Sequence, residues 1–212
     1  MNNKVLKRYS VLGTGVMLIM YLVGAIGFFL DPVYFGSLTP IHLLVVNLIL
    51  VLPVFFRIKD TLVLLLVATL GFLMEALGVA TGLVFGAYQY GSVLGIKLLK
   101  VPLIIGFNWA ALLVAAYSLI ALKVKNHIIG AALIGLVITG MDYLIEPVAI
   151  GNAYWFWEAG QIPIQNYLAW FVLSFLFGLI LYSSGFRMVP LLLAVCFLGI
   201  QALFFIYMQL IA

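Results

Sequence analysis

Three acids lie deep in apolar sequence: Glu75, Asp142 and Glu146. An ionised side chain in hydrocarbon costs about 3 kcal/mol or more, so acids retained there usually serve a function. Carboxyl groups in such places donate or accept protons in catalysis, or carry protons and hold ions in transport. Asp142 and Glu146 are four residues apart, which puts them on one helix face about 6 Å from end to end. Counted from the inner ends of their spans, Glu75 and Asp142 each lie about 21–23 Å along, in the outer third of the membrane. Asn108 lies about 10 Å deep along a span that enters from the other side. His42, Asn166 and Trp170 begin spans on that same side. Together with Trp109 these residues form a polar layer near one surface.

Each has a plainer role to weigh. Glu146 precedes Pro147 near a span end, where it can simply reach the headgroups. For Glu75 and Asp142, both deeper, a functional role is the better reading. His42 is expected to be a hydrogen-bonded structural residue rather than a metal ligand. Asn108 and Asn166 are expected to join helices. Asp31 and Glu158 read as solvated loop residues. Cys196, the single cysteine, sits in an apolar run and reads as a small buried hydrophobe. It excludes a disulfide within the chain and any cysteine-built metal site.

The elements that position these residues follow from composition. Of 212 residues, 67% are hydrophobic and 8% are charged, against about 25% charged in soluble domains. The solvent must be lipid, and an all-α polytopic bundle is expected. Charge-poor runs of about 20 residues fall at roughly 9–30, 38–56, 61–82, 101–122, 127–149, 165–183 and 188–210. They make one integral membrane domain over 1–212. A cleaved signal has a shorter apolar core, so the first run is expected to be a retained span. The breaks carry loop signals at Asp31-Pro32, at 57–60, at 123–126 and at 183–185. With the N-terminus inside, one side holds Lys4, Lys7, Arg8, Arg57, Lys59, Lys123, Lys125 and Arg187, and the other only Lys97 and Lys100. That split obeys the positive-inside rule and puts the C-terminus outside. Two longer outer loops, 83–100 and 150–164, are rich in aromatics, for which an interfacial belt is the default. Gly78, Gly82 and Gly86 are spaced for close helix packing.

Several chemistries are excluded. A retinal Schiff base needs a lysine in the last span, and no lysine follows Lys125. Intramembrane aspartyl proteolysis needs two aspartates sharing a proton, and Asp142 is the one placed deep in a span. Aspartate-rich clusters for magnesium diphosphate are missing, as are nucleotide-binding glycine motifs and Cys/His clusters. Basic residues do not combine with aromatics in a nucleic-acid footprint.

Two blocks of sequence carry a family resemblance. The first runs from Glu75 through Gly78, Gly82, Phe85, Gly86, Tyr88 and Tyr90 to Leu94-Gly95, Val101-Pro102 and Asn108-Trp109. The second comprises Asp142, Glu146-Pro147, Trp155, Trp157, Gly160, Pro163, Asn166 and Trp170. Over roughly residues 70–175 the chain resembles the membrane carotenoid-biosynthesis family of the gamma-carotene 1'-hydratase and bisanhydrobacterioruberin hydratase type. The first two spans and the last carry little of it. The resemblance implies a linear or half-cyclised C40 or C50 carotenoid substrate in membrane lipid. It also implies addition of water across a terminal isoprenoid double bond, giving a tertiary alcohol.

Such a hydration protonates the less substituted alkene carbon, and water captures the tertiary cation. No redox cofactor is required. A donor carboxyl must stay protonated near neutral pH, which burial or a second carboxylate favours. Asp142 is expected to be the general acid and Glu75 the base that orients water, with the roles open to exchange and Glu146 in reserve. Trp109, Trp155 and Tyr88 are candidate cation stabilisers, and Asn108 a candidate holder of the water. Tyr90, Trp157, Asn166 and Trp170 complete the expected substrate-binding set. A carotenoid cyclase, a carotenoid- or lipid-binding protein and a small transporter remain alternatives.

Overall fold

The computed structural model describes residues 2–211. Seven helical stretches are long and apolar enough to cross a membrane. They are α1 (Asn3–Leu30), α3 (Thr39–Val51) with a 3-10 extension over Leu52–Phe56, α4 (Ile58–Thr81), α5 (Leu103–Ile120), α6 (His127–Gly151), α7 (Ile164–Ser184) and α8 (Leu191–Ile211). A short helix, α2 (Pro32–Ser37), joins the first two. Each span matches its sequence expectation to within a few residues, apart from the start of α1, which begins six residues earlier than residue 9.

The ends follow local chemistry. Asp31 caps α2 by accepting from the Tyr34 N–H at 2.9 Å, with Pro32 in the first turn, where a missing N–H costs nothing. Asn126 accepts from the N–H groups of Ile128 and Ile129 to start α6. Gly82 ends α4 in the left-handed conformation, φ 69°.

α5 is the axis of the bundle. In its apolar stretch 67% of residues are buried, against 28–39% for the other six spans. Its small residues Ala110, Ala111, Ala115 and Ala116 are fully buried and let neighbouring helices approach closely. Gly71 of α4 lies so near that a Cβ there would meet the Trp109 side chain at 2.9 Å.

The two ends of the bundle differ. At one end lie the basic turns. Tyr182 donates to the Val124 carbonyl at 2.9 Å and Tyr117 to that of Phe186 at 2.9 Å, tying two of these turns together. The stretch 57–60, expected as a loop, instead begins α4. Asp60 is buried in the first helical turn and pairs with Arg57 at 3.2 Å. At the other end lie the two long connections, and they contain four short strands. β1 (Tyr88–Tyr90) pairs antiparallel with β4 (Trp155–Trp157), setting Tyr88 opposite Trp157 and Tyr90 opposite Trp155. β2 (Lys97–Leu98) pairs with β3 (Val101–Pro102).

These strands correct the expectation of an aromatic belt. Phe85, Tyr88, Tyr154 and Trp157 are buried, because pairing of the two loops turns their rings inward over the helix ends. Gly82 and Gly86 are likewise not helix-packing residues: both lie beyond α4 with positive φ. Gly78 does sit in a tight contact, but with the Phe85 ring of the following loop. Cys196 is half-buried rather than buried.

Candidate functional site

The polar layer converges into one place. Glu75 comes from α4, Asn108 and Trp109 from α5, Asp142 and Glu146 from α6, and Asn166 and Trp170 from α7. The paired strands β1 and β4 close over them. All three carboxyl side chains are buried, each about 2% exposed or less. The alternative that Glu146 reaches the headgroups is therefore corrected: the loop aromatics cover it.

Glu75 accepts from three donors. Trp109 Nε1 donates to Oε1 at 2.8 Å, Tyr90 donates to Oε2 at 2.9 Å, and Tyr88 donates to the same oxygen. Burial first, and then the Glu75 carboxyl beside them, push the Tyr88 and Tyr90 phenols well above their usual range, so both stay protonated as donors. Donors on both oxygens suit an ionised carboxylate, which only accepts, and one of its roughly four acceptor positions stays open.

Glu146 is held in the same manner. Trp155 Nε1 and Trp157 Nε1 donate to Oε2 at 3.0 and 2.9 Å, and Asn166 Nδ2 donates to Oε1 at 3.2 Å. Asp142 differs. It accepts one hydrogen bond, from Asn166 Nδ2 to Oδ2 at 2.7 Å. Asn166 is thus the helix joiner expected of it, and what it joins is the pair of acids.

These groups border a cavity of about 350 Å³, within the range of small-molecule sites, about 300–1,000 Å³. Glu75, Asp142, Asn108, Trp109, Tyr90, Trp155 and Trp170 reach it. Trp109 and Trp170 stack at 3.9 Å, 9° from parallel, in its wall. Glu146, Tyr88, Trp157 and Asn166 border a smaller adjoining pocket, which shares Glu75, Asp142, Tyr90, Trp155 and Trp170. Tyr88 therefore stands behind the carboxyl of Glu75, and the two rings closest to the cavity among the expected cation stabilisers are Trp109 and Trp155.

Asn108 faces the cavity and accepts from Asn47 Nδ2 at 3.3 Å, linking α5 to α3. His42 lines the cavity too, and among the described residues its ring makes no hydrogen bond. It packs edge to face on Tyr21 at 4.5 Å. Among the described residues no group of three or more His, Cys, Asp or Glu could hold a metal ion.

Sequence reading missed part of the wall. Tyr21 and Phe28 from α1, Tyr154 from the second loop, and Gln201 and Phe204 from α8 line the same space. Gln201, buried at 2% exposure, is a polar residue in the middle of the apolar span α8. The rule that singled out the acids would have found it.

Fold and site together define a polytopic membrane protein with an aromatic, acid-bearing cavity near one end of its bundle. The family described as "Carotenoid biosynthesis protein" matches residues 36–210, and the chain belongs to it. That match takes in α3 and α8, beyond the 70–175 that the sequence blocks suggested. The bisanhydrobacterioruberin hydratase of Haloarcula japonica is 32% identical over 121 residues, covering 53% of this chain and 41% of that protein. The chain thus spans less than half the length of the curated relative it matches. No solved structure matches it.

Proposed function

We propose that the protein is a carotenoid hydratase, adding water across the terminal isoprenoid double bond of an acyclic carotenoid end group. The single observation that carries this reading is the unequal bonding of the carboxyls around one apolar cavity. Family membership and the hydratase relative support the substrate class. No redox cofactor enters, since hydration leaves the electron count unchanged.

Asp142, with one donor and a place in the cavity wall, is the general acid. It gives its proton to the less substituted alkene carbon; the π bond breaks and a C–H bond forms. The tertiary cation lies against the Trp109 and Trp155 rings, whose faces attract positive charge. A water on the open acceptor position of Glu75, near Asn108, attacks the cation. Its C–O bond forms as its proton passes to Glu75, and return of that proton from Glu75 to Asp142, which lines the same cavity, restores both groups for the next turnover. The net change is the gain of one water. Glu146 holds Trp155, Trp157 and Asn166 in place, a positioning role.

The same reading takes the chain as a single membrane domain with its N-terminus in the cytoplasm, its basic turns inside and the acid site toward the outer surface of the cell membrane.

Expression in cells that make lycopene or gamma-carotene tests the proposal. Chromatography and mass spectrometry of extracted pigment should show a product heavier by one water, independent of oxygen. Asp142→Asn should lower its formation by about 100- to 10,000-fold, the usual weight of a general acid, and Glu75→Gln should lower it strongly as well. Full hydration by either folded variant would sink the assignment. An unchanged mass with a shifted spectrum would mean cyclisation instead.

A further inference from the structure

We infer that the substrate enters this cavity end-first from the bilayer, through a window between α1 and α3, and leaves the rest of its chain in lipid. The inference rests on the polyisoprenoid reading above. Outside that window α1 is shut against its neighbours. On the α8 side, Gly24 faces the Phe204 ring at contact distance, 3.7 Å from where a Cβ would stand, and Tyr207 donates to the Ala25 carbonyl at 3.4 Å. On the α3 side, the inner half is closed: Tyr9 donates to the Ile49 carbonyl at 2.5 Å, and Gly13 has the Ile49 side chain against it. At the outer end α2 folds back and lays the Phe35 ring on Gly27.

Between Gly13 and Gly27 lies about 21 Å of helix bounded by those two closures. There Ile19 and Val23 of α1 and Ile41 of α3 line the cavity, yet they are 62%, 53% and 61% exposed. A side chain that borders both the cavity and the outer surface marks a rim. This rim is wholly apolar and lies within spans, so what meets it is hydrocarbon. Inside it Tyr21 and His42 meet across the gap, so the passage is narrowed by two rings rather than by backbone.

Volume fixes the direction of entry. A rigid conjugated chain long enough to cross the hydrocarbon layer, about 30 Å, does not fit into 350 Å³. One end group does. The acids stand at the far wall, where an inserted end arrives first.

The test bridges the window. In a Cys196→Ser background, Val23→Cys and Ile41→Cys place a thiol on each rim, and neither residue belongs to the acid site. A series of bis-methanethiosulfonate reagents of increasing span is applied to the full chain in membranes containing a C40 polyene. Bridging is expected to cut hydration at least tenfold and to abolish the pigment that co-purifies with the protein, and reduction with dithiothreitol should restore both. Full hydration while bridged overturns the window. So does failure of every reagent in the series to join the two thiols, because the rims would then not face each other. Pigment binding that bridging blocks, with no hydrated product from the unbridged chain, would uphold the window and overturn the hydratase.

Discussion

Asn166 has two N–H donors on one nitrogen and spends both on acids, Asp142 at 2.7 Å and Glu146 at 3.2 Å. Replacing it with leucine keeps the volume roughly and removes both donors. Two buried acceptors then lose a partner, at about 1–3 kcal/mol each. Asn166→Leu should therefore lower the thermal midpoint in detergent and cut hydration by tenfold or more, as Asp142 loses its fixed rotamer. A second change isolates the other acid. Trp109→Phe keeps an aromatic face against Trp170 but removes the 2.8 Å donor to Glu75. Its expected mark is a fall in turnover with little change in pigment retained on purification. At this scale the sequence was informative, since polar residues inside apolar spans stand out by cost alone. Glu75, Asp142, Asn108 and Asn166 were visible in this way. The donors Tyr88, Tyr90, Trp155 and Trp157 were visible as residues, while their carboxyl partners were not. They reach those partners from 9 to 15 positions away in sequence through loops with no helical period.

The element that aims those donors is the pairing of β1 with β4. It depends on Gly86, which takes φ 108° and leaves no room for a side chain: a Cβ would stand 2.6 Å from Pro163 and 3.3 Å from the Trp157 ring. Gly86→Ala combines backbone strain with overpacking, each about 1–3 kcal/mol. The expected result is a lower thermal midpoint together with a loss of hydration out of proportion to it, because Trp157 and Tyr88 shift away from their carboxyls. Equal loss in an Ala substitution at Gly160, which has open space around it though φ is 68°, would count against that account. Strand pairing was not legible in the sequence because three-residue strands carry no usable alternation. The helices were, since length and hydropathy alone set them.

For the whole molecule, the orientation proposed from the charge split can be tested by labelling. With Cys196 replaced by serine, a cysteine at Lys100 should react with a membrane-impermeant maleimide in intact cells, and one at Lys123 only after permeabilisation. The reverse pattern would invert the acid site to the cytoplasmic face. The bundle's order around α5 was beyond sequence reading. That α5 is the enclosed helix is suggested by its alanines, but its companions are chosen by shape.

The clasp between α1 and α8, made by Gly24 on Phe204 and by Tyr207 on the Ala25 carbonyl, also dictates a timetable. Of the seven spans, the first in chain order has the seventh as its chief neighbour. Until α8 is released, α1 rests only on α2 and α3, α5 stays open to lipid on one flank, and the cavity lacks the wall that Gln201 and Phe204 supply. A nascent chain stalled after α7 would already contain all three acids and their donors, yet no enclosed chamber around them. An enclosed chamber around the acids therefore has to wait for α8.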